Sequence, residues 1–208
     1  MTPTELLTFP RELGLKRAIV SGKNQYSLYL KKMRDKTSCY TSLYSFGKIE
    51  DGKPDYTTAI IDRAWWDFDA GERGGIELVK QDVAELISRL DGDIRIVATG
   101  RGFHVHQLFK QPVSGHQFRL PLEHYQRRKA KGLATLDGVG FPEKMTRIPN
   151  TYKCLKKCAE ASTPMVFLTA EVLILFHGLI TMHQKPKIIL SLRALYWTKT
   201  PLVRGLYL

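Results

Sequence analysis

The stretch AIIDRAWWDFDA, residues 59–70, constrains the fold more than any other segment of this chain. Its β-branched and aromatic residues predict a strand, and glycines directly after it break the pattern. Residues two apart on a strand point the same way, so Asp67 and Asp69 share one face while Trp66 and Phe68 pack on the other. Two close carboxylates repel unless a cation lies between them, and Mg²⁺ or Mn²⁺ prefers oxygen ligands. The alternative is a pair of solvated acids, but the flanking aromatic residues favour burial.

A second stretch, ATGRGFHVHQLF, residues 98–109, also reads as a strand, preceded by a glycine-flanked basic turn. His104 and His106 share one face of that strand by the same two-residue rule. Backbone N–H groups of a glycine turn, together with arginine and histidine side chains, favour phosphate binding. The predicted phosphate-binding residues of this stretch are Thr99, Gly100, Arg101, Gly102 and His104. Either histidine taken alone is equally typical of a hydrogen-bonded core residue.

The rest of the chain predicts mixed helices and strands, hence an α/β (α+β) fold. Apolar residues recur at helical spacing over residues 77–90, and a buried strand follows at 94–98. Residues 114–131 predict a basic helix with a Ser114/Gln117 capping box and a break or kink at Pro121. Strand-like or extended segments are expected at 39–46, 134–140 and 146–153. The most apolar run, residues 164–180, predicts a buried helix that is too short to span a membrane.

The chain has 208 residues and carries 32 Lys and Arg against 20 Asp and Glu, a net charge of +12. Such a surplus favours a polyanionic partner, usually nucleic acid or an acidic membrane. The basic segment 15–38 interleaves Tyr26 and Tyr29, with Tyr40 just beyond it, which suits a track for single-stranded nucleic acid. A solvated helix face with tyrosines in the core is an equal alternative.

Three cysteines, Cys39, Cys154 and Cys158, form neither a disulfide framework nor a recognisable zinc motif. We therefore expect no structural zinc and a reducing compartment, the cytoplasm or nucleoid. The first residues lack the apolar core of a signal peptide, so secretion is not expected.

A third acid, Asp137 in the motif LDGVG, precedes a turn, and the segment RIPNTYK supplies Arg147 and Lys153. Phosphoryl transfer between nucleotides commonly uses acids that hold two metal ions and cations that hold the triphosphate. Here the order is DxD, then GxGxH, then a single Asp, then a basic extended segment.

This ordered set, WWDFDA, TGRGFHV, LDGVG and RIPNTYK, resembles the archaeo-eukaryotic primase superfamily of small primase subunits and primase–polymerases. The likeness spans roughly residues 39–158. It implies a catalytic half with an RRM-like antiparallel sheet, an N-terminal α/β half, and an active site in the cleft between them. Thr99 stands where the family often has serine, and the zinc-bound stem of many primases is not evident.

The resemblance implies a template-directed nucleotidyltransferase that makes primers or extends DNA. Asp67, Asp69 and Asp137 would hold two Mg²⁺ or Mn²⁺ ions. The nucleotide would be bound by the turn from Thr99 through Gly100 and Arg101 to Gly102, with His104, Arg147 and Lys153, while His106 matches no essential position. The expected partners are a single-stranded DNA template, a primer and NTP or dNTP, with a helicase or second primase subunit possible and no membrane.

One catalytic domain over residues 1–208 is expected. Its approximate parts are a basic N-terminal segment (1–58), the motif-bearing segment (59–160) and a helical C-terminal segment (161–208). Two other functions fit part of the pattern. A DxD motif also serves metal-dependent glycosyltransferases, and a non-catalytic nucleic-acid-binding module could keep the same fold.

Overall fold

A computed structural model describes residues 7–34, 36–71, 74–99, 101–149, 151 and the backbone of 166–169. None of the helices in these ranges is both long enough and apolar enough to cross a membrane. The strands and helices in chain order are β1 Arg11–Leu13, β2 Ala18–Val20, α1 Lys23–Met33, β3 Tyr40–Ser42, β4 Ser45–Phe46, β5 Ile49–Glu50, β6 Lys53–Pro54, β7 Ala59–Asp69, α2 Gly75–Ser88, β8 Asp93–Ala98, β9 Gly102–Ser114, α3 Arg119–Lys129, β10 Leu136–Val139, β11 Met145–Arg147 and β12 Val166–Thr169.

The larger sheet has the order β10-β7-β9-β8-β12, with β4 paired to β7, and its neighbouring strands are all antiparallel. One face is apolar because Trp66 and Phe68 of β7 and Val105 of β9 alternate with polar residues along their strands. Helices α2 and α3 contact this sheet, and their buried side chains, such as Val83 and Leu122, belong to the same hydrophobic cluster. The main core therefore lies between the sheet and these two helices.

The smaller sheet has the order β11-β3-β1-β2, so three of its strands precede β7 in the chain and the fourth follows β10. Its core joins Leu13 and Val20 to Tyr26 of α1, and Ile148 closes it from the segment after β11. Because β11 lies directly after β10 in the chain, the β10–β11 connection ties the smaller sheet to the larger one.

The predicted α+β class is confirmed at this level: mixed elements, antiparallel sheets and few helices. The predicted helix over residues 77–90 is α2, and the strand predicted at 94–98 is β8, hairpinned to β9. The strand predicted at 59–70 is β7, which has Asp67 and Asp69 near its end.

The single strand predicted over residues 39–46 is wrong. It is divided into β3 and β4, which belong to different sheets. The division is stabilised by Arg11, whose buried guanidinium donates to the carbonyl oxygens of Ser42 at 3.0 Å and Leu43 at 3.1 Å. These carbonyls lie where the chain leaves one sheet for the other, and a long-range side chain satisfies them instead of a neighbouring strand.

The capping box predicted at Ser114 and Gln117 is absent, because Ser114 ends β9 and a short 3₁₀ turn, His116–Phe118, precedes α3. Helix α3 begins at Arg119, so Pro121 lies in its first turn and produces no interior kink. A first-turn residue has no intrahelical acceptor for its N–H, and proline therefore costs little there.

The helix predicted over residues 164–180 is wrong for Val166–Thr169, which form β12 against β8; the other residues lie outside the described part. A short apolar run suits a buried helix or a buried strand equally. Here the outer edge of β8 offers backbone groups that a further strand can satisfy, and strand pairing is the result.

Strand β10 is held by two buried polar side chains from the two helices. Asp82 of α2 accepts hydrogen bonds from the backbone N and the hydroxyl of Thr135, both at 2.7 Å, just before β10. Just after β10, Gln126 of α3 donates to the carbonyl of Gly140 at 2.8 Å and accepts from the backbone N of Trp65 at 2.8 Å. Both ends of this short strand are therefore fixed against β7.

We expect Gln126→Leu to destabilise the fold by about 2–4 kcal/mol, because a side chain of similar volume leaves buried backbone groups without partners. Chemical denaturation would measure this loss. The matched control is Gln81→Leu on the exposed face of α2, which should change stability by less than about 0.5 kcal/mol. Equal stabilities of the two variants would contradict the assigned role of Gln126.

A close approach between β7 and β9 requires glycine at position 102. A Cβ atom there would lie 1.8 Å from the carbonyl oxygen of Phe68, a distance much shorter than van der Waals contact. Any side chain at this position forces the two strands apart at the end where Asp69 pairs with Gly102.

We expect Gly102→Ala to cost at least about 2 kcal/mol of folding free energy, since backbone cannot move aside as a flexible side chain can. Gly22→Ala is the matched control, because a Cβ atom at Gly22 meets nothing within 4 Å. Thermal and urea unfolding would compare the two. Wild-type stability in Gly102→Ala would show that the strands can separate freely here.

Candidate active site

The face of the larger sheet opposite α2 and α3 presents the first two acids beside a histidine. Asp67 of β7 lies directly across from His104 of β9, and Oδ1 of Asp67 is 3.3 Å from Nε2 of His104. This pairing follows from the two-residue repeat of both strands, which places Asp67, Asp69 and His104 on a common face. The imidazole thus sits within reach of the same carboxylate that the sequence assigns to a metal.

Asp69 is the last residue of β7 and contacts the basic turn. Its Oδ2 lies 3.2 Å from a guanidinium nitrogen of Arg101, and its Oδ1 accepts a hydrogen bond from the backbone N of Gly71 at 2.9 Å. The Arg101 side chain is 63 % exposed, so this ion pair is solvent-screened and exchangeable. Of the two predicted metal-ligating acids of β7, Asp67 therefore faces the imidazole of His104 and Asp69 faces the guanidinium of Arg101.

Asp137 reaches the same region through a β-bulge. Leu136 pairs with Phe68 and Val139 with Trp66, so Asp137 and Gly138 together oppose the single residue Asp67. A bulge of this kind re-aims one side chain and is common beside active sites. Asp137 is exposed. The structure therefore brings the third acid to the strand position beside Asp67.

The three acids do not already form a metal cage. In the described ranges, no three His, Cys, Asp or Glu side chains stand close enough together to hold one metal ion. The fold places the three acids on two neighbouring strands, β7 and β10.

The turn from Thr99 to Gly102 is closed by backbone bonds, Thr99 N to Gly102 O at 2.9 Å and Ala70 N to Arg101 O at 2.9 Å. Arg147, which is buried, donates to the carbonyl of Thr99 at 3.0 Å. Arg147 therefore supports the turn from behind, a positioning contact that its sequence motif does not reveal. Gly100 and Lys153 lie outside the described residues.

His104 is enclosed on its other sides. The centre of its ring lies 4.9 Å from that of Trp65, with the two rings tilted by 59°, and its Nδ1 lies 3.4 Å from the hydroxyl of Thr146 on β11. Burial leaves the side chain 10 % exposed, with its Nε2 edge toward Asp67. The histidine is thus held in orientation by both sheets.

His106 follows His104 on the same face but has different surroundings. It is buried, and its Nδ1 has no hydrogen-bond partner among the described residues. Burial, with the nearby positive charge of Arg63, holds its pKa well below the usual value, so the ring is neutral near pH 7.

Lys144 is a residue that sequence analysis missed. Its ammonium lies 5.0 Å from the centre of the Trp65 ring, and it would be 3.5 Å from a Cβ atom on Gly138, the residue opposite Asp67. It is part of the turn between β10 and β11, and no motif signal points to it. The fold therefore places the ammonium of Lys144 near the strand position of Asp67, although the two residues are distant in sequence.

The interleaved tyrosines of the basic N-terminal segment differ in their surroundings. Tyr26 is 3 % exposed in the smaller core, and burial raises its pKa. Tyr29 packs partly against the same core, and burial raises its pKa to about 12. The core alternative is therefore correct for Tyr26, which is not a surface stacking platform.

A cavity of about 220 Å³ opens between the site face of the larger sheet and the smaller sheet. His104, His106 and Arg147 line it, so it adjoins the acid-bearing end of the sheet face.

Comparisons of the chain with protein-family models, curated proteins and solved structures found no match, so its function is inferred from this geometry and from the sequence motifs.

Proposed function

We propose that this protein is a template-directed nucleotidyltransferase that synthesises primers or extends DNA on a single-stranded template. The observation that carries the proposal is the convergence of Asp67, Asp69 and the Asp137 bulge on adjacent strands, beside His104 and the glycine turn. The ordered motifs that resemble archaeo-eukaryotic primases support it. In that reading the larger sheet is the RRM-like catalytic half and the smaller sheet belongs to the N-terminal half.

The donor set fits a pair of hard divalent ions, Mg²⁺ or Mn²⁺. All three side chains are carboxylates, and Asp67 and Asp69 lie 3.3 and 3.2 Å from His104 and Arg101. Asp67, Asp69 and Asp137 are the residues that would hold the ions. When bound, such ions activate the attacking oxygen and stabilise the leaving group.

The transfer itself forms one bond and breaks another. The primer 3′ oxygen bonds to the α-phosphorus of NTP or dNTP, its proton is released, and the bond from the α-phosphorus to the bridging oxygen breaks to free pyrophosphate. Arg101 neutralises charge on the triphosphate, His104 donates a hydrogen bond to it, and Arg147 holds the turn that presents Arg101. Trp65 keeps the imidazole of His104 in place.

The net charge of +12 supports a nucleic-acid template. Helix α1 has basic residues Lys31 and Lys32 in its last turn, on an exposed surface. Such residues bind the phosphates of the template backbone, and contacts of this kind do not depend on the template sequence. A helicase, or a second primase domain or subunit, is the candidate protein partner for primer synthesis.

We expect Asp67→Asn, Asp69→Asn and Asp137→Asn each to lower nucleotide incorporation about a hundredfold or more, because each removes a carboxylate at the reacting phosphate. The assay follows labelled dNTP addition to a primed single-stranded template with Mg²⁺ or Mn²⁺. Asp51→Asn, in an exposed turn remote from the acids, is the matched control and should retain activity.

Near-normal incorporation by any of the three acid variants would overturn the assignment. Metal-dependent nucleotide binding without incorporation by the wild-type chain would favour a non-catalytic module. Transfer from a nucleotide sugar in place of dNTP incorporation would favour a glycosyltransferase.

We expect His104→Asn to raise the KM for dNTP about tenfold, since one hydrogen bond to an ionised phosphate is lost. Steady-state incorporation at varied dNTP and fixed primed template gives this constant. His124→Asn on the exposed surface of α3 makes the same chemical change away from the site and should leave KM unchanged. A KM change of equal size in both variants would remove His104 from the nucleotide site.

A further inference from the structure

The cavity between the two sheets is also lined by residues that are not assigned to nucleotide transfer. His106 and Arg95 lie one row further into the larger sheet than His104 and Val97, opposite each other across β8 and β9. The centres of the His104 and His106 rings are 6.4 Å apart. The charged and imidazole residues that line the whole cavity are Arg11, Arg34, Arg63, Arg95, His104, His106 and Arg147.

This lining is strongly cationic. Five arginines contribute, and none of the described residues that line the cavity is an Asp or Glu. Asp62 chelates Arg63 at 2.8 and 2.6 Å, and Asp93 contacts Arg95 at 3.1 Å, so two of the charges are partly balanced from outside the lining. A lining with arginines and no carboxylate among its described residues favours the entry of an anion.

Arg11 is a buried arginine of the cavity lining whose hydrogen-bond partners carry no charge. Its three guanidinium nitrogens donate to the carbonyl oxygens of Thr8, Ser42 and Leu43, which are neutral acceptors. Burial first, and then the nearby charge of Arg63, lower the pKa of Arg11 to about 10. The guanidinium is still protonated at neutral pH, and it adds its charge to the cavity wall.

The imidazole of His106 supplies an independent observation. The residue is 8 % exposed, and its Nδ1 is a buried polar atom with no hydrogen-bond partner in the described part of the chain. A buried polar atom without a partner costs about 1–3 kcal/mol, so such atoms usually face a ligand or water. In the sheet register His106 lies between Trp65 and Arg95.

We propose that Arg63, Arg95 and His106 form a pocket within this cavity for a phosphate-type oxyanion. Guanidinium groups suit phosphate because they offer several N–H donors in one plane, and a neutral imidazole can donate one more. The volume of about 220 Å³ accommodates a diphosphate or the terminal phosphates of a triphosphate. This pocket goes beyond the proposed function, since the transfer step requires none of these three residues.

The test uses the full chain and inorganic pyrophosphate in buffer with EDTA, so that neither metal nor template takes part. Isothermal titration calorimetry should show saturable binding to the wild-type chain. Arg95→Gln and His106→Leu should each weaken it about tenfold, the loss of one hydrogen bond to a charged group. Because His106→Leu removes an unpaired buried atom, its unfolding temperature should not fall, which separates lost binding from lost folding.

Arg127→Gln on the exposed side of α3 is the control, because it removes one positive charge far from the cavity. Its affinity for pyrophosphate should match that of the wild-type chain. Absence of pyrophosphate binding, or equal losses in Arg127→Gln and Arg95→Gln, would overturn the pocket and leave only general attraction to a basic protein.

Two further titrations identify the source of the anion. Competition between dNTP and pyrophosphate would show that the pocket receives a triphosphate tail, while binding of pyrophosphate without competition would show a separate anion; both results require the pocket. Asp67→Asn should still bind pyrophosphate in EDTA. Loss of nucleotide incorporation in that variant with intact pyrophosphate binding therefore distinguishes failure of the acids from failure of the pocket.

Discussion

The antiparallel pairing of β7 with β9 is the constraint on which the site depends. Its register places Asp67 against His104 and Asp69 against Gly102. The pairing is tolerated at its end only because residue 102 has no Cβ atom, since the Phe68 carbonyl occupies that space. A shift of one residue would turn both acids toward α2 and α3 and bring Phe68 out to the cavity. Fold and chemistry therefore share one set of backbone hydrogen bonds.

The third acid depends on a different set of forces. Strand β10 is short, and an edge strand of this length is weakly held by its own ladder. Asp82 and Gln126, one from each helix, fix its two ends with buried hydrogen bonds. The bulge at Asp137 lies between these two fixed ends. The helices thus stabilise the core and also keep the third carboxylate beside β7.

Much of this arrangement follows from local patterns and could be predicted from the sequence. The two-residue repeats of β7 and β9 give the faces of Asp67, Asp69 and His104, and the apolar spacing of α2 gives a helix. The roles of Lys144 and Gln126 could not be predicted, because each is defined by a contact with Trp65 from a distant part of the chain. The prediction of a single strand over residues 39–46 failed for the same reason, since Arg11, from another strand, stabilises the division of this segment.

On the site face of the larger sheet, β7 keeps its two acids apart from the arginine of the same strand. Along β7 the order on the site face is Asp69, Asp67, Trp65 and Arg63, so the ring of Trp65 separates the two acids from Arg63. Four residues of strand span about 13 Å, too far for a direct ion pair. The two acids therefore lie at one end of this face, beside His104 and Arg101, and Arg63 lies at the other end, paired with Asp62. A polyphosphate held at the acids, as proposed, would have arginines of complementary charge along the same face of the sheet.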